Sequence, residues 1–206
     1  MLETSPLYRS LRALSALPRG YFRLRVEGAP HVPAAGPCII AANHVSYVDL
    51  IVLWMASPRH VRFIVDRAQF QRPLVHWMAL RTGAIPVEND PRDLGSVRRA
   101  LGALRDGDVL GIFPEGGRSA DGNLLPGKPG AAMLALRAGV PLIPAGIVGA
   151  FKAYSRHHLL PRPRRLTVRF GAPLDLPETW RGHGAKDHLE EGTALLMERI
   201  RLLCAE

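Results

Sequence analysis

Short apolar runs alternate with amphipathic stretches along most of this 206-residue chain, and no other feature restricts the fold as strongly. The apolar runs have the length of strands and are bounded by turn residues, whereas the stretches between them have helical spacing. Strands that alternate with helices form βαβ units, in which the strands lie parallel. The sequence therefore predicts an α/β fold with a mostly parallel central sheet flanked by helices.

The predicted elements can be placed by residue number. Strands are expected at 21–26, 38–42, 61–65, 84–87, 109–113, 142–148 and 166–170. Helices are expected at 47–56, 73–80, 94–104, 129–138 and 187–203. Residues 155–165, which are rich in Pro, His and Arg, are expected to form an exposed basic loop.

The amino-terminal segment is basic and amphipathic. Its leucines share one helical face over residues 6–18, and residues 1–26 hold five arginines against one glutamate. Such a helix either lies in an anionic lipid interface or packs its leucines on its own domain. We divide the chain into an N-terminal amphipathic helical element suited to a membrane surface, residues 1–19, and one α/β domain, residues 20–206.

The charge balance restricts the class of partner. The chain carries 27 Lys and Arg against 18 Asp and Glu, a formal net charge of +9, so an anionic lipid, nucleic acid or phosphorylated substrate is expected. An arginine-rich surface without any partner would give the same balance. Nucleic acid is the less favoured partner, because the arginines are scattered, aromatic residues make up 6% and no nucleic-acid-binding motif is present.

The sequence holds no run long enough to cross a membrane as a helix. A span needs about 20 apolar residues, whereas the longest apolar run covers only residues 50–56. Arginines interrupt the apolar stretch at the amino terminus, so the pattern of a signal peptide is absent. If the partner is a lipid, the protein is expected at the cytoplasmic face of a membrane, on the bilayer surface, with Cys38 and Cys204 as reduced thiols.

The first candidate site is the stretch Asn-His-Val-Ser-Tyr-Val-Asp at residues 43–49. His44 falls at a predicted strand-to-helix turn, where α/β folds place ligands, and Asp49 falls in the first helical turn. A carboxylate that orients a histidine makes a general base, and the positive end of the helix favours the neutral imidazole. In the alternative interpretation, Ser46 and Asp49 form a capping box and His44 is an ordinary loop residue.

The second candidate site is Phe-Pro-Glu-Gly-Gly-Arg-Ser at residues 113–119, directly after a predicted strand. Arg118 can hold a phosphate with two hydrogen bonds, and Gly116 and Gly117 let backbone N–H groups approach an anion. Glu115 could accept hydrogen bonds from a polyol or orient Arg118. A glycine turn with an exposed ion pair would have the same sequence.

A lysine follows the second site and precedes a predicted helix. Lys128 stands beside Pro129 and Gly130, which open that helix, so it is a candidate for a second anion contact. An ordinary exposed lysine is the alternative.

Together these residues resemble the motifs of the glycerophospholipid acyltransferase family, and in particular of its 1-acylglycerol-3-phosphate acyltransferases. Four motifs of that family occur in the family's order over roughly residues 20–175. They are Asn-His followed by four residues and Asp, at Asn43, His44 and Asp49; Phe-Pro-Glu-Gly-x-Arg-Ser at 113–119, with Gly117 where threonine is usual; Lys-x-Gly at Lys128 and Gly130; and Val-Pro-Leu-Ile-Pro at 140–144.

One family motif departs from the usual pattern. Residues 83–88 fit its glycine, apolar strand and acidic residue, but Asn89 stands where the family has an arginine that helps to hold the acceptor's phosphate. Either Arg92 replaces that arginine, or the acceptor carries another headgroup, as a lyso-ornithine lipid does.

The resemblance implies a reaction and assigns roles to residues. His44, oriented by Asp49, takes a proton from the acceptor hydroxyl, and the oxygen attacks the thioester of acyl-CoA or acyl carrier protein, with no metal and no cofactor. The acceptor is a lysophospholipid, most simply 1-acylglycerol-3-phosphate, and the product is phosphatidic acid. The headgroup would be bound by Glu115, Gly116, Gly117, Arg118 and Lys128.

Other features of the reaction are expected as well. Backbone amides near the glycine turns, together with the 141–144 segment, are expected to stabilise the oxyanion. The basic amino terminus and the 156–165 loop are expected to hold the chain against anionic lipid. No serine or cysteine stands in a nucleophile elbow, which argues against both an acyl-enzyme and a thioesterase of the α/β hydrolase kind.

Overall fold

The computed structural model of the chain describes residues 16–71, 73–88, 93–174, 176–180 and 185–205. In this part of the chain the strands are β1 (Arg25–Glu27), β2 (Cys38–Ala42), β3 (Val61–Asp66), β4 (Ile85–Val87), β5 (Val109–Ile112), β6 (Leu142–Val148) and β7 (Thr167–Phe170). The α-helices are α1 (Ala16–Tyr21), α2 (Asp49–Ala56), α3 (Pro73–Thr82), α4 (Leu94–Arg105), α5 (Gly130–Ala138), α6 (Ala150–Tyr154) and α7 (Ala185–Cys204). Short 3-10 turns lie at Ala29–His31, Arg67–Gln71 and Glu178–Trp180.

The described strands form one sheet in the order β1-β7-β6-β2-β5-β3-β4. Every neighbouring pair is parallel except β6 and β7, which run antiparallel. The predicted α/β fold with a mostly parallel sheet is confirmed. Because β6 and β7 are antiparallel, the chain can pass from one to the other without a long crossover helix, and only the short α6 lies between them.

The sheet is buried on both faces, because the side chains of β2 alternate between two apolar cores. Cys38, Ile40 and Ala42 face the core that holds the buried residues of α2 and α6. Ile39 and Ala41 face the core that holds those of α4, α5 and α7. A strand covered on both sides needs an apolar residue at every position, and this explains why the β2 sequence is apolar without interruption.

Helix α1 changes the residue at which the first predicted strand begins. The strand predicted from Tyr21 begins only at Arg25, because Tyr21 ends α1 and Arg23 adopts a left-handed φ of 43° in the turn that follows. Most of the amphipathic helix predicted over residues 6–18 lies outside the described residues.

Helix α6 was not predicted from the sequence. It has five residues, of which only Ala150 and Ala153 are buried, and so short a segment shows no clear helical period of apolar residues.

The polarity of the strands places many connections at one edge of the sheet. We call this the carboxyl edge, because β2, β5, β3 and β6 all end there. Strand β7 is antiparallel to β6, and β1 is parallel to β7, so both of these strands start at the carboxyl edge. Helix α1, the turn after β2, the turn after β5 and the loop before β7 therefore meet at this edge. The opposite edge is called the amino edge.

Gly111 of β5 gives the first testable expectation. A Cβ at this position would lie 2.6 Å from two ring carbons of Phe63 and 2.7 Å from a methyl group of Val61. We expect Gly111→Ala to lower the free energy of unfolding by about 1–3 kcal/mol, because a packed core resists an added carbon. Gly102→Ala is the matched control, since the space at Gly102 on α4 is open and alanine favours a helix. Urea unfolding measures both, and equal stability of the two variants would contradict the packing described here.

Candidate active site

The histidine and the aspartate of the first motif are in hydrogen-bond contact. His44 follows β2 at the carboxyl edge, and Asp49 is the first residue of α2. His44 Nδ1 lies 2.9 Å from Asp49 Oδ2. The Asp49 side chain is fully buried, whereas the His44 side chain is 21% exposed. Because Nδ1 donates its proton to the carboxylate, the lone pair of the imidazole is on Nε2, which is the atom that can accept a proton.

The same carboxylate oxygen also organises the backbone before α2. Asp49 Oδ2 accepts hydrogen bonds from the N–H groups of Val45 and Ser46, each at 2.7 Å. The capping interpretation and the catalytic interpretation are therefore compatible, because one oxygen satisfies two backbone donors and orients the histidine. The residue that caps α2, Val48, makes no side-chain cap of its own. The positive end of α2 favours the buried negative charge of Asp49.

An aromatic residue of the second motif fixes the plane of the imidazole. The Phe113 ring stacks on the His44 ring, with centroids 4.2 Å apart and an interplanar angle of 18°. Phe63 of β3 stacks behind Phe113 at 6.1 Å. This role of Phe113 was not predicted from the sequence. Its position directly after a strand that neighbours β2 was the signal that could have placed it beside His44.

Glu115 holds the two motif turns together. Its Oε1 accepts the N–H of His44 at 2.5 Å, and its Oε2 accepts the N–H of Leu125 at 2.7 Å. The residue is buried, and burial raises the pKa of the Glu115 carboxyl above its usual value, while the two backbone hydrogen bonds lower it. Both oxygens of Glu115 thus serve the protein's own backbone. Its predicted contact with the headgroup stays a prediction, and its visible role is to position His44.

Two further backbone contacts join the motif turns. The N–H of Ser119 donates to the His44 carbonyl at 2.9 Å, and the N–H of Lys128 donates to the Pro114 carbonyl at 2.7 Å. Residues 113–128 are consequently closed into a loop by the bond between Lys128 and Pro114, and Ser119 within that loop is tied to the histidine.

Asn43, the first residue of the family's motif, has a structural position. Its side-chain amide donates to the Ile147 carbonyl at 3.0 Å, and its side-chain oxygen accepts the Ile147 N–H at 2.7 Å. This pair of bonds extends the pairing of β2 with β6 by one residue through a side chain. His44 therefore begins its turn from a fixed point of the sheet, and an asparagine supplies both the donor and the acceptor that this requires.

Lys128 lies over the glycine turn. Gly116 has a φ of +68°, and a Cβ at this position would lie 2.7 Å from Lys128 Nζ. The lysine stem thus occupies the space that any other residue would fill at position 116, which explains the need for glycine there. The structure places Lys128 beside Gly116, and the predicted binding of a headgroup by Gly116, Gly117 and Lys128 stays a prediction. Helix α5 begins at Gly130, directly after Lys128 and Pro129.

Arg118 is placed by an aromatic residue from the first motif. Its guanidinium carbon lies 3.7 Å from the centroid of the Tyr47 ring, a cation–π contact. Tyr47 in turn packs on Tyr154 of α6 at 5.3 Å between centroids. Tyr47 was missed as a site residue, although its place between His44 and Asp49 was visible in the sequence. The contact holds the guanidinium of Arg118 at the carboxyl edge, next to the turn that carries His44.

One expectation about the site was wrong. The segment Pro141–Pro144 was expected to help stabilise an oxyanion, but it lies at the amino edge. The Pro141 carbonyl accepts the N–H of Ile39, which stands about 16 Å of extended strand before His44. The segment starts β6, and parallel strands put their starts and their ends at opposite edges. Asn89 and Arg92, which concern the acceptor headgroup, lie outside the described residues.

The thiols of the chain are unsuited to covalent catalysis. Cys38 is fully buried in β2, and burial raises its pKa to about 11. Burial also raises the pKa of Cys204 to about 11. Both are free cysteines. Across the described ranges, no three His, Cys, Asp or Glu side chains converge in a way that could hold a metal ion.

Comparison with known sequences identifies the family. A sequence model of the family described as Acyltransferase matches residues 23–148 of this chain, a range that contains His44, Asp49, the 113–119 turn and Lys128. The chain belongs to this acyltransferase family. The family resemblance expected from the four motifs is thereby confirmed.

Individual proteins are similar to the chain at moderate identity. A chloroplastic 1-acyl-sn-glycerol-3-phosphate acyltransferase of Brassica napus is 30% identical over 135 residues, which cover 64% of this chain and 39% of that protein. A 1-acyl-sn-glycerol-3-phosphate acyltransferase of Bacillus subtilis is 26% identical over 181 residues, which cover 87% of both chains. The chain thus spans about two fifths of the plant relative and most of the bacterial one.

Comparison with a solved structure shows that the chain shares the fold of that protein. The crystal structure of the 1-acyl-sn-glycerophosphate acyltransferase PlsC from Thermotoga maritima aligns with a TM-score of 0.75 at 23% identity. The alignment covers 96% of this chain and 80% of that chain. At this identity the similarity supports the α/β fold of the chain.

Proposed function

We propose that this acyltransferase moves a fatty acyl group from a thioester donor to the free hydroxyl of a lysophospholipid. The proposed acceptor is 1-acylglycerol-3-phosphate, which would give phosphatidic acid, and the proposed donor is acyl-CoA or acyl carrier protein. The observation that carries the proposal is the 2.9 Å contact between His44 Nδ1 and the buried Asp49, which leaves Nε2 as a proton acceptor. The names of the relatives support the choice of acceptor.

The proposed mechanism uses only protein groups. His44 Nε2 removes the proton from the acceptor hydroxyl while that oxygen attacks the carbonyl carbon of the thioester. The imidazolium is stabilised by the Asp49 carboxylate. The tetrahedral oxyanion then collapses, the C–S bond breaks, and the thiolate takes the proton back from His44. No bound metal and no cofactor enter these steps, and backbone N–H groups of the glycine turn would stabilise the oxyanion.

The acceptor's phosphate would bind at the cationic side of the glycine turn. Arg118 and Lys128 are brought to the same turn, one by the Tyr47 ring and the other across Gly116. Two cations beside open backbone suit a phosphate monoester, because an arginine can form two parallel hydrogen bonds with its oxygens. A lyso-ornithine lipid is the alternative acceptor, which Asn89 favours by replacing the family's phosphate-binding arginine.

Arg118→Lys tests the choice between these acceptors. For 1-acylglycerol-3-phosphate we expect the KM to rise by about tenfold with little change in kcat, since a lysine keeps the charge but loses the paired hydrogen bonds. For a lysolipid without phosphate, the KM should stay unchanged. Arg137→Lys on α5, at the amino edge, is the matched control. An unchanged KM for the phosphate acceptor would contradict the assignment, and faster acylation of lyso-ornithine lipid would favour the alternative.

We also propose peripheral attachment to the cytoplasmic face of an anionic membrane. No helix in the described ranges has the length and apolar character needed to span a bilayer. The basic amino-terminal segment, residues 1–19, and the 156–165 loop would supply the attraction, at about 1 kcal/mol for each basic residue near the lipid surface. Failure of the protein to sediment with anionic vesicles at physiological salt would contradict this attachment.

A further inference from the structure

The loop between α6 and β7 exposes two consecutive leucines. Leu159 is 96% exposed and Leu160 is 75% exposed. Single exposed apolar residues are ordinary on a protein surface. Two adjacent leucines at the tip of one loop, both largely exposed to solvent, instead form a small apolar patch, which we call the apolar tip.

The exposure does not result from a loop without anchors. The Tyr21 hydroxyl donates to the Pro161 carbonyl at 2.7 Å, and the N–H of Arg162 donates to the Ala153 carbonyl at 2.9 Å. On the other side of the leucines, the N–H of His158 donates to the Ser155 carbonyl at 3.1 Å. The backbone on both sides of the tip is therefore held, and the two side chains are directed away from the domain.

Basic residues flank the apolar tip along the chain. The chain has no Asp or Glu from residue 151 to residue 174. Within that range the exposed arginines next to the leucines are Arg156, Arg162, Arg164 and Arg165. We call these four arginines the basic collar. An apolar tip with a basic collar matches a membrane interface, where acyl chains lie beneath anionic headgroups. Nucleic acid would bind the arginines but would leave the leucines in water.

The tip is attached to the active-site turns. Arg156 Nη2 donates to the Arg118 carbonyl at 3.1 Å, and His157 Nε2 lies 3.1 Å from the Ala120 carbonyl. Behind the tip, the Ser46 hydroxyl donates to the Tyr154 carbonyl at 2.5 Å. The hydrogen bond from Tyr21 also attaches the loop to α1, which overlaps the end of the basic amino-terminal segment in the sequence. All these contacts lie at the carboxyl edge, where the His44 side chain is partly exposed.

We propose that Leu159 and Leu160 insert into an anionic lipid bilayer and dock the carboxyl edge of the sheet on it. The arginines of the collar bind headgroups, and the docked edge presents His44 and Arg118 to lysolipid in the membrane. This orientation rests on the proposed function, because only a lipid acceptor makes it useful. Insertion itself is a property of the surface and can be measured without any reaction.

The test compares Leu159→Ser/Leu160→Ser with Leu202→Ser in the full chain. Leu202 is 50% exposed on α7, in the layer that covers a face of the sheet. Binding is measured by sedimentation with vesicles of equal phosphatidylcholine and phosphatidylglycerol that contain neither donor nor acceptor. We expect the double variant to lose at least about tenfold in binding, which corresponds to about 1.4 kcal/mol, and the control to bind as the unchanged protein does.

Three further readouts separate the possible results. Thermal unfolding of the double variant should match that of the unchanged protein, because both side chains are exposed. Turnover of dispersed acceptor should be retained, whereas turnover of acceptor in vesicles should fall with binding. Vesicle binding that the double substitution leaves unaltered would overturn the proposal. A double variant that loses binding to duplex DNA but keeps its binding to vesicles would overturn it as well. Leucine-dependent binding without any acyl transfer would instead refute the proposed function and leave the insertion standing.

Discussion

Replacing His44 by alanine is expected to lower kcat for acyl transfer by about 10²- to 10⁴-fold, the usual contribution of a general base. The variant lacks Nε2, the ring nitrogen of His44 that can accept the hydroxyl proton while Nδ1 contacts Asp49. The ring is partly exposed and packs on Phe113 at one face, so the free energy of unfolding should change far less than the rate. Steady-state kinetics with saturating donor, together with a thermal unfolding curve, measure both quantities.

His31→Ala is the matched control for this substitution. His31 is exposed, and its Nδ1 lies 2.8 Å from the Phe170 carbonyl at the amino edge. Its removal should leave the rate of acyl transfer unchanged. A His44→Ala variant that retains most of the activity of the unchanged protein would rule out the histidine as the base.

Asp49→Asn is expected to reduce both activity and stability. The asparagine oxygen can take the place of Oδ2 and keep its three donors, but the negative charge that stabilises the imidazolium is lost. We expect kcat to fall by roughly 10²- to 10⁴-fold for this reason. The new amide NH₂ would stand at the position of Oδ1, which is buried and has no hydrogen-bond partner among the described residues. An unsatisfied buried donor should lower the free energy of unfolding by about 1–3 kcal/mol.

The control for Asp49→Asn is Asp106→Asn. Asp106 follows α4 at the amino edge, is exposed, and should tolerate the same chemical change without effect on the rate. The two effects of Asp49→Asn can be separated by measuring kcat well below the unfolding temperature. Unchanged kcat in a folded Asp49→Asn variant would mean that the carboxylate only shapes the backbone before α2.

The sheet could be predicted from the sequence because each strand carries its own signal. The five residues of β2 are all apolar, which is the mark of a strand covered on both faces, and the structure buries every one of them. The order of the strands could not be predicted in this way. The antiparallel pairing of β6 with β7 depends on how the loop after α6 returns, and that loop has no periodic pattern.

The candidate site was predictable in its residue types but not in its internal contacts. Spacing alone indicated that Asp49 could reach His44, because the two lie in one turn. The roles of Glu115 and Phe113 depend on the neighbouring position of β5 and β2 in the sheet, which local sequence does not specify. The parallel pairing of β2 with β6 explains why the expectation about Pro141–Pro144 was wrong. His44 follows the end of β2, whereas this segment begins β6, and parallel strands start and end at opposite edges of the sheet.

We propose that His44 activates a lysolipid hydroxyl for attack on a thioester. The most direct measurement supplies radiolabelled acyl-CoA and 1-acylglycerol-3-phosphate in mixed micelles to the purified protein and, in parallel, to His44→Ala, and resolves the labelled products. We expect labelled phosphatidic acid from the unchanged protein and almost none from the variant. Label that appears only as free fatty acid, or phosphatidic acid formed equally by both proteins, would contradict it.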